Sequence, residues 1–143
     1  MMLARLIRPM ALAASLAASA AAFADERPAP ADAVLDRHLA AFADRDLDAI
    51  MADYSEDSVF ITPEGILRGP DEIRPLFRMI LDEFAAPEAR LTIHARHVDG
   101  ALAYTLWSAE TPAHVYRIAT DTLVIRDDRI LYQTFAAEME AKD

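Results

Sequence analysis

The hydrophobic period of this chain changes once, at Pro87, and that change limits the possible folds more than any other feature. Before Pro87 apolar side chains recur at helical spacing, and after it they alternate at every second residue. Val34, Leu35, Leu39 and Phe42 form a stripe that predicts a first helix over residues 31–43, with His38 inside it, four residues from Val34 and from Phe42. Asp46 is placed to cap a short second helix, because its carboxylate can accept a free N–H of the first turn. Leu47, Ile50, Met51 and Tyr54 follow at i, i+3, i+4 and i+7. SVFIT and ILRG flank Pro63-Glu64-Gly65 and predict a short hairpin. Gly69-Pro70-Asp71-Glu72 opens a third helix, with Pro and acids where a first turn favours them. Pro75, which deletes one helix hydrogen bond, predicts a kink or a tightened first turn. Beyond Pro87, Leu91, Ile93 and Ala95 alternate up to the Asp99-Gly100 turn signal, and Leu102, Tyr104 and Leu106 alternate after it. A run from His114 to Arg126 then turns at Asp127-Asp128 and returns. Helices followed by an antiparallel meander give the α+β class, with helices covering one face of a curved sheet.

Against this pattern, a polar residue at an apolar position is informative. His38 interrupts a helical stripe. Asp121 shares strand parity with Leu123 and Ile125, Thr62 with Phe60, and Gln133 with Leu131 and Phe135. Tyr54 ends the stripe of the second helix, and Tyr104 lies in phase with Leu102 and Leu106. Converging faces of this kind enclose an apolar cavity with a few polar groups, the form of a small-molecule site. Each residue also has a plainer reading. A buried His can be a core residue with one partner, Asp121 can bond a strand end or reach solvent, and the tyrosines can be core aromatics. Trp107 has the opposite parity from Tyr104, which predicts a place on the other sheet face, in a subunit contact. His94 and His97, three apart on a strand, are expected on opposite faces and so unable to share a metal ion. With no cysteine, no G-x-S-x-G and three glycines, neither a metal nor a cofactor is expected.

Residues 1–24 have a basic start (Arg5, Arg8), an alanine-leucine middle and a small-x-small end at Ala24, which predicts a cleaved signal peptide. The apolar run is short for a membrane span of about 20 residues. Residues 25–30 read as an exposed leader and residues 31–140 as one domain. Export without cysteine points to a periplasmic or secreted bacterial protein. Cleavage would leave 12 basic residues against 24 acids, a formal charge of −12 (12 − 24). Such a surface repels phosphate backbones and anionic lipid, so nucleic acid and membrane are not expected partners.

The run HLAAFADRDLDAIMADYSEDSVFITPEGILRGPDEIRPLF, followed by YTLWSAE and TDTLVIRDDRILYQTF, resembles the nuclear transport factor 2-like superfamily, in its SnoaL-like and ketosteroid-isomerase-like branch. The resemblance implies a cone: a strongly curved, mostly antiparallel sheet wrapped round three N-terminal helices, with a pocket at the open end and dimerisation through the sheet. It places Thr62 where the isomerase has its general-base aspartate, His38 and Asp121 at the two oxyanion-hole positions, and Tyr54 near a supporting tyrosine. A hydroxyl at Thr62 cannot replace that base. His38 with Asp121 is instead expected to form an acid–base dyad, as loosely in the polyketide-cyclase and dehydratase members. Tyr54, Thr62 and Gln133 would position a small carbonyl-containing or cyclic molecule, and Phe60, Phe77, Tyr104, Leu106, Leu123 and Phe135 would shape the walls. The alternative is a non-catalytic binding or dimerisation module of the same fold.

Overall fold

The computed structural model describes residues 30–143, so the expected signal peptide and nearly all of the leader lie outside the described residues. Three helices come early: α1 (Ala31–Ala43), α2 (Leu47–Met51) and α3 (Gly69–Phe84). Between the second and third lie β1 (Val59–Thr62) and β2 (Gly65–Arg68). Four long strands follow: β3 (Arg90–Asp99), β4 (Leu102–Glu110), β5 (His114–Arg126) and β6 (Arg129–Ala141). All six strands form one sheet in the order β2-β1-β6-β5-β4-β3. Every pairing is antiparallel except that of β1 with β6. The result is the α+β class with a curved, unclosed sheet.

Local chemistry fixes the element ends. Asp46 caps α2 by accepting the N–H of Ala49 at 3.0 Å. Gly69 has φ of 68°, a left-handed conformation that glycine adopts without steric cost, and its N–H reaches Ser58 O at 2.8 Å. From there α3 runs on through Pro75, burying Ile73, Phe77, Leu81 and Phe84. Asp127 and Asp128 both have positive φ and form a two-residue turn between the paired Arg126 and Arg129, which matches the right-handed twist of the strands.

The core lies between the helices and the concave side of the sheet. Val34, Leu35, Ile50, Ile73, Leu123 and Ile130 are almost fully buried there, each contributing about 1.5–3 kcal/mol relative to exposure. A smaller cluster centres on Phe84, Ala109 and Tyr116.

Two expectations about strand faces are corrected. Tyr104 and Leu106 point to the convex side, in register with Thr122 and Thr120, while Ala103, Thr105 and Trp107 point inward. Since α1 packs onto β4 and β5, the small residues Ala103 and Thr105 fit beneath it where Tyr104 and Leu106 would not. Trp107 therefore lies on the concave side of the sheet, bonded to Asp121. His94 and His97 are not divided between the two faces either. A bulge between Ile93 and Ala95 turns His94 to the convex side, where it bonds Ser108 Oγ at 2.7 Å, and His97 stacks there on Tyr104.

Candidate functional site

His38 projects from the buried face of α1 and is 5% exposed. Its Nδ1 lies 3.0 Å from Oδ2 of Asp53, a residue in the irregular turn after α2 that is itself 1% exposed. The other oxygen of Asp53 accepts Arg37 Nε at 2.6 Å. Arg37 extends to the β5–β6 turn, donating from Nη1 to Asp128 Oδ1 at 2.6 Å and from Nη2 to Asp128 O at 2.7 Å. Partial burial works against the Arg37 charge, but the bonds to Asp128 and Asp53 outweigh it and raise its pKa above the ordinary value. Asp53 is also held through its backbone, whose carbonyl accepts Ile130 N at 2.8 Å. An ionised carboxylate can only accept, so the geometry assigns the proton of His38 to Nδ1 and a lone pair to Nε2.

Asp121, the expected partner of His38, is engaged elsewhere. Its Oδ2 accepts the indole N–H of Trp107 at 2.8 Å and its Oδ1 accepts Gln133 Nε2 at 2.9 Å. Gln133 Oε1 in turn accepts a short hydrogen bond from the Tyr54 hydroxyl. Burial pushes the Asp121 carboxyl above its ordinary value, opposed by the Trp107 and Gln133 donors. Burial, then the charges of Asp121 and Asp53, push the Tyr54 hydroxyl well above its usual value, so it remains a donor. Two polar chains therefore meet inside the cone: Arg37–Asp53–His38 and Tyr54–Gln133–Asp121–Trp107. The His38 and Tyr54 rings touch edge to face, with centroids 5.8 Å apart.

The remaining predicted site residues divide three ways. Phe60, Phe77 and Leu123 are buried, and Phe77 packs against both His38 and Phe60. Phe135 is half-buried and stacks on Trp107, near Asp121. Thr62 spends its hydroxyl in the β1–β2 turn, accepting Glu64 N at 3.2 Å and donating to Gly65 O at 3.4 Å. Tyr104 and Leu106 are on the far side of the sheet. Surface depressions of about 410 Å³ over α3 and about 370 Å³ beside Thr111 and Lys142 are lined by neither His38, Asp53 nor Asp121. Among the described residues, no three His, Cys, Asp or Glu side chains are grouped to hold a metal ion.

Asp53 and Trp107 were not among the sequence candidates. Asp53 sits in the run ADYSEDS, where no hydrophobic period operates, and reads there as one loop acid among several. The parity of Trp107 is legible, but both alternations of β4 carry apolar residues, so parity alone does not say which of them faces inward.

The model of the SnoaL-like domain matches residues 35–133. The chain belongs to the SnoaL-like domain family. Among curated proteins no sequence matches it. Solved structures share its fold at low identity. One is an NTF2-like protein of unknown function from Cytophaga hutchinsonii, with 10% identity, TM-score 0.64, and coverage of 78% of this chain and 92% of that one. A provisionally assigned SnoaL-like polyketide cyclase from Shewanella denitrificans has 14% identity and TM-score 0.60, covering 75% of this chain and 89% of its own. A provisionally assigned ketosteroid isomerase from Kribbella flavida has 16% identity and TM-score 0.61, with 78% of each chain covered. For this SnoaL-like protein these likenesses establish the NTF2-like cone fold and leave the chemistry to its own residues.

Proposed function

We propose that this SnoaL-like protein holds a small carbonyl-containing or cyclic molecule and acts on it by acid–base catalysis without a cofactor. His38 is the group that moves the proton. One observation carries the reading: a buried imidazole is fixed through Nδ1 on a buried carboxylate, while Nε2 has no hydrogen-bond partner among the described residues. That arrangement sets the tautomer, and Asp53 stabilises the imidazolium formed when Nε2 accepts a proton. The partner role first given to Asp121 passes to Asp53, and Asp121 joins Tyr54 and Gln133 as a group that orients the substrate. The resemblance of residues 1–24 to a signal peptide supports action outside the cytoplasm, in the periplasm or the medium.

A non-catalytic binding or dimerisation module is the second reading. The rings of His38, Tyr54, Phe60 and Phe77 are buried and pack against one another, which favours it. Incubating the full-length chain with cyclic ketones, enones, epoxides and hydroxylated aromatics separates the two. Turnover is expected for one class, and His38→Gln should lower it by about a hundredfold or more with the melting temperature little changed. Turnover that survives His38→Gln excludes the catalytic reading.

A further inference from the structure

Asp53 is 1% exposed, and its carboxylate carries a charge that an apolar surrounding does not solvate. Two partners meet it on separate oxygens: His38 Nδ1 lies 3.0 Å from Oδ2, and Arg37 Nε lies 2.6 Å from Oδ1. They are not equivalent. His38 can take up or release a proton, whereas Arg37 is a permanent cation. The rest of the guanidinium is committed to the β5–β6 turn, with Nη1 on Asp128 Oδ1 at 2.6 Å and Nη2 on Asp128 O at 2.7 Å. The Arg37 and Asp128 side chains are 39% and 40% exposed, so their pair adds little stability by itself. Its effect is to fix where the guanidinium sits. Asp128 also has φ of 65°, at the second position of a two-residue turn where glycine is favoured. The turn alone does not call for a side chain there, and the one present supplies an anchor for Arg37.

We propose that Arg37, anchored by Asp128, is a positioning residue that balances the Asp53 charge and so leaves His38 uncharged, with Nε2 free to take a proton. With His38 as its sole partner, the buried Asp53 carboxylate would be balanced only by a proton shared with the ring. That proton could make an imidazolium, or it could sit on the carboxyl and be donated to Nδ1. In both arrangements the ring carries Nε2–H and cannot act as a base. Arg37 removes the need, because Asp53 and Arg37 together are already neutral. The other groups that face the pair supply no cation. Tyr54 donates to Gln133, Asp121 accepts from Gln133 and Trp107, and Phe77 of α3 is apolar. The inference rests on the reading of His38 as the proton-moving group and names what keeps it in the accepting state.

The test follows the Nε2 nitrogen of His38 by ¹⁵N NMR against pH in the full-length protein. His38→Gln assigns its signal among the four histidines. Arg37→Met keeps an unbranched apolar stem and removes the cation. It should raise the pH at which Nε2 gains its proton by about one unit or more, and Arg37→Lys should return most of that shift. Asp128→Gly suits the turn, so the melting temperature should hold, and this variant decides alone if Arg37→Met does not fold. Loss of the Asp128 charge by itself lowers the midpoint, whereas release of the guanidinium from Asp53 raises it, and a rise is expected. An unchanged or lower midpoint in Arg37→Met overturns the role of Arg37, and the same result in Asp128→Gly overturns the anchor. The measurement needs no substrate. Absence of turnover in the substrate screen would therefore sink the catalytic reading without deciding this one.

Discussion

Asp53 accepts the Nδ1–H of His38 and so decides which ring nitrogen carries the lone pair. Replacing its carboxylate by an amide tests that relation directly. In Asp53→Asn the amide oxygen should stay with the Arg37 donor, which presents its NH2 to His38 Nδ1. That donor forces the ring to accept there, and the proton moves to Nε2. Ring ¹⁵N shifts should report an Nδ1–H tautomer in the wild type and an Nε2–H tautomer in the variant, and an Nδ1–H ring in both would remove Asp53 from the site. The position of His38 was legible from its place in an apolar helical stripe. Its partner was not, because Asp53 is joined to it by a turn that follows no period and by an arginine anchored 91 residues away at Asp128.

At the scale of elements, the C-terminal end of α3 is tied to the β4–β5 hairpin through one carboxylate. Glu83 accepts Thr111 Oγ1 at 2.7 Å, His114 Nδ1 at 2.9 Å and the Tyr116 hydroxyl at 3.1 Å. Burial opposes its charge, but the bonds from Thr111, His114 and Tyr116 outweigh that and hold Glu83 below its ordinary pKa. Burial, followed by the Glu83 charge, pushes the Tyr116 hydroxyl up. A carboxyl whose folded pKa lies below its unfolded value of about 4.3 contributes its stability in full above that value. The contribution is lost as pH falls through the folded pKa. Glu83→Gln should therefore lower the urea unfolding free energy by about 1–3 kcal/mol at neutral pH, with the deficit shrinking below about pH 4. A deficit that persists undiminished in acid would trace to packing instead of charge. The hairpin was readable from period-two alternation, but the clamp was not, since Glu83 looks like an ordinary acid on the polar side of a helix.

At the scale of the whole molecule, the middle of the convex sheet face exposes apolar side chains. Leu102 and Tyr132, in one cross-strand row with Val124 and with Asp99 at its β3 end, are 48% and 47% exposed, and the row Ala95–Leu106–Thr120–Ala136 contains no ionisable side chain. Two copies of a chain with a formal charge of −12 after cleavage repel through their acidic surfaces, so the exposed apolar side chains of this face support the homodimer through the sheet as a proposal. Protein recovered from the periplasm or medium should begin at Asp25 by mass and elute as a dimer in light-scattering chromatography. The double change Leu102→Lys and Tyr132→Lys should yield a folded monomer. Monomeric wild-type protein, or a dimer unaffected by both lysines, would set this interface aside.

The amino-acid sequence by itself determined the element order, the α+β class, the cap at Asp46, the turns at Asp99-Gly100 and Asp127-Asp128, and the inward positions of His38, Asp121 and Gln133. All of these follow from backbone preferences and from periodicity over neighbouring residues. The tertiary structure decided what periodicity cannot carry: which of two apolar alternations in β4 fits beneath α1, where a bulge reverses the phase of β3, and which carboxylate meets His38. These are outcomes of packing and donor–acceptor pairing between segments far apart in the chain. They are settled by volume and hydrogen-bond geometry once the helices lie in the curved sheet.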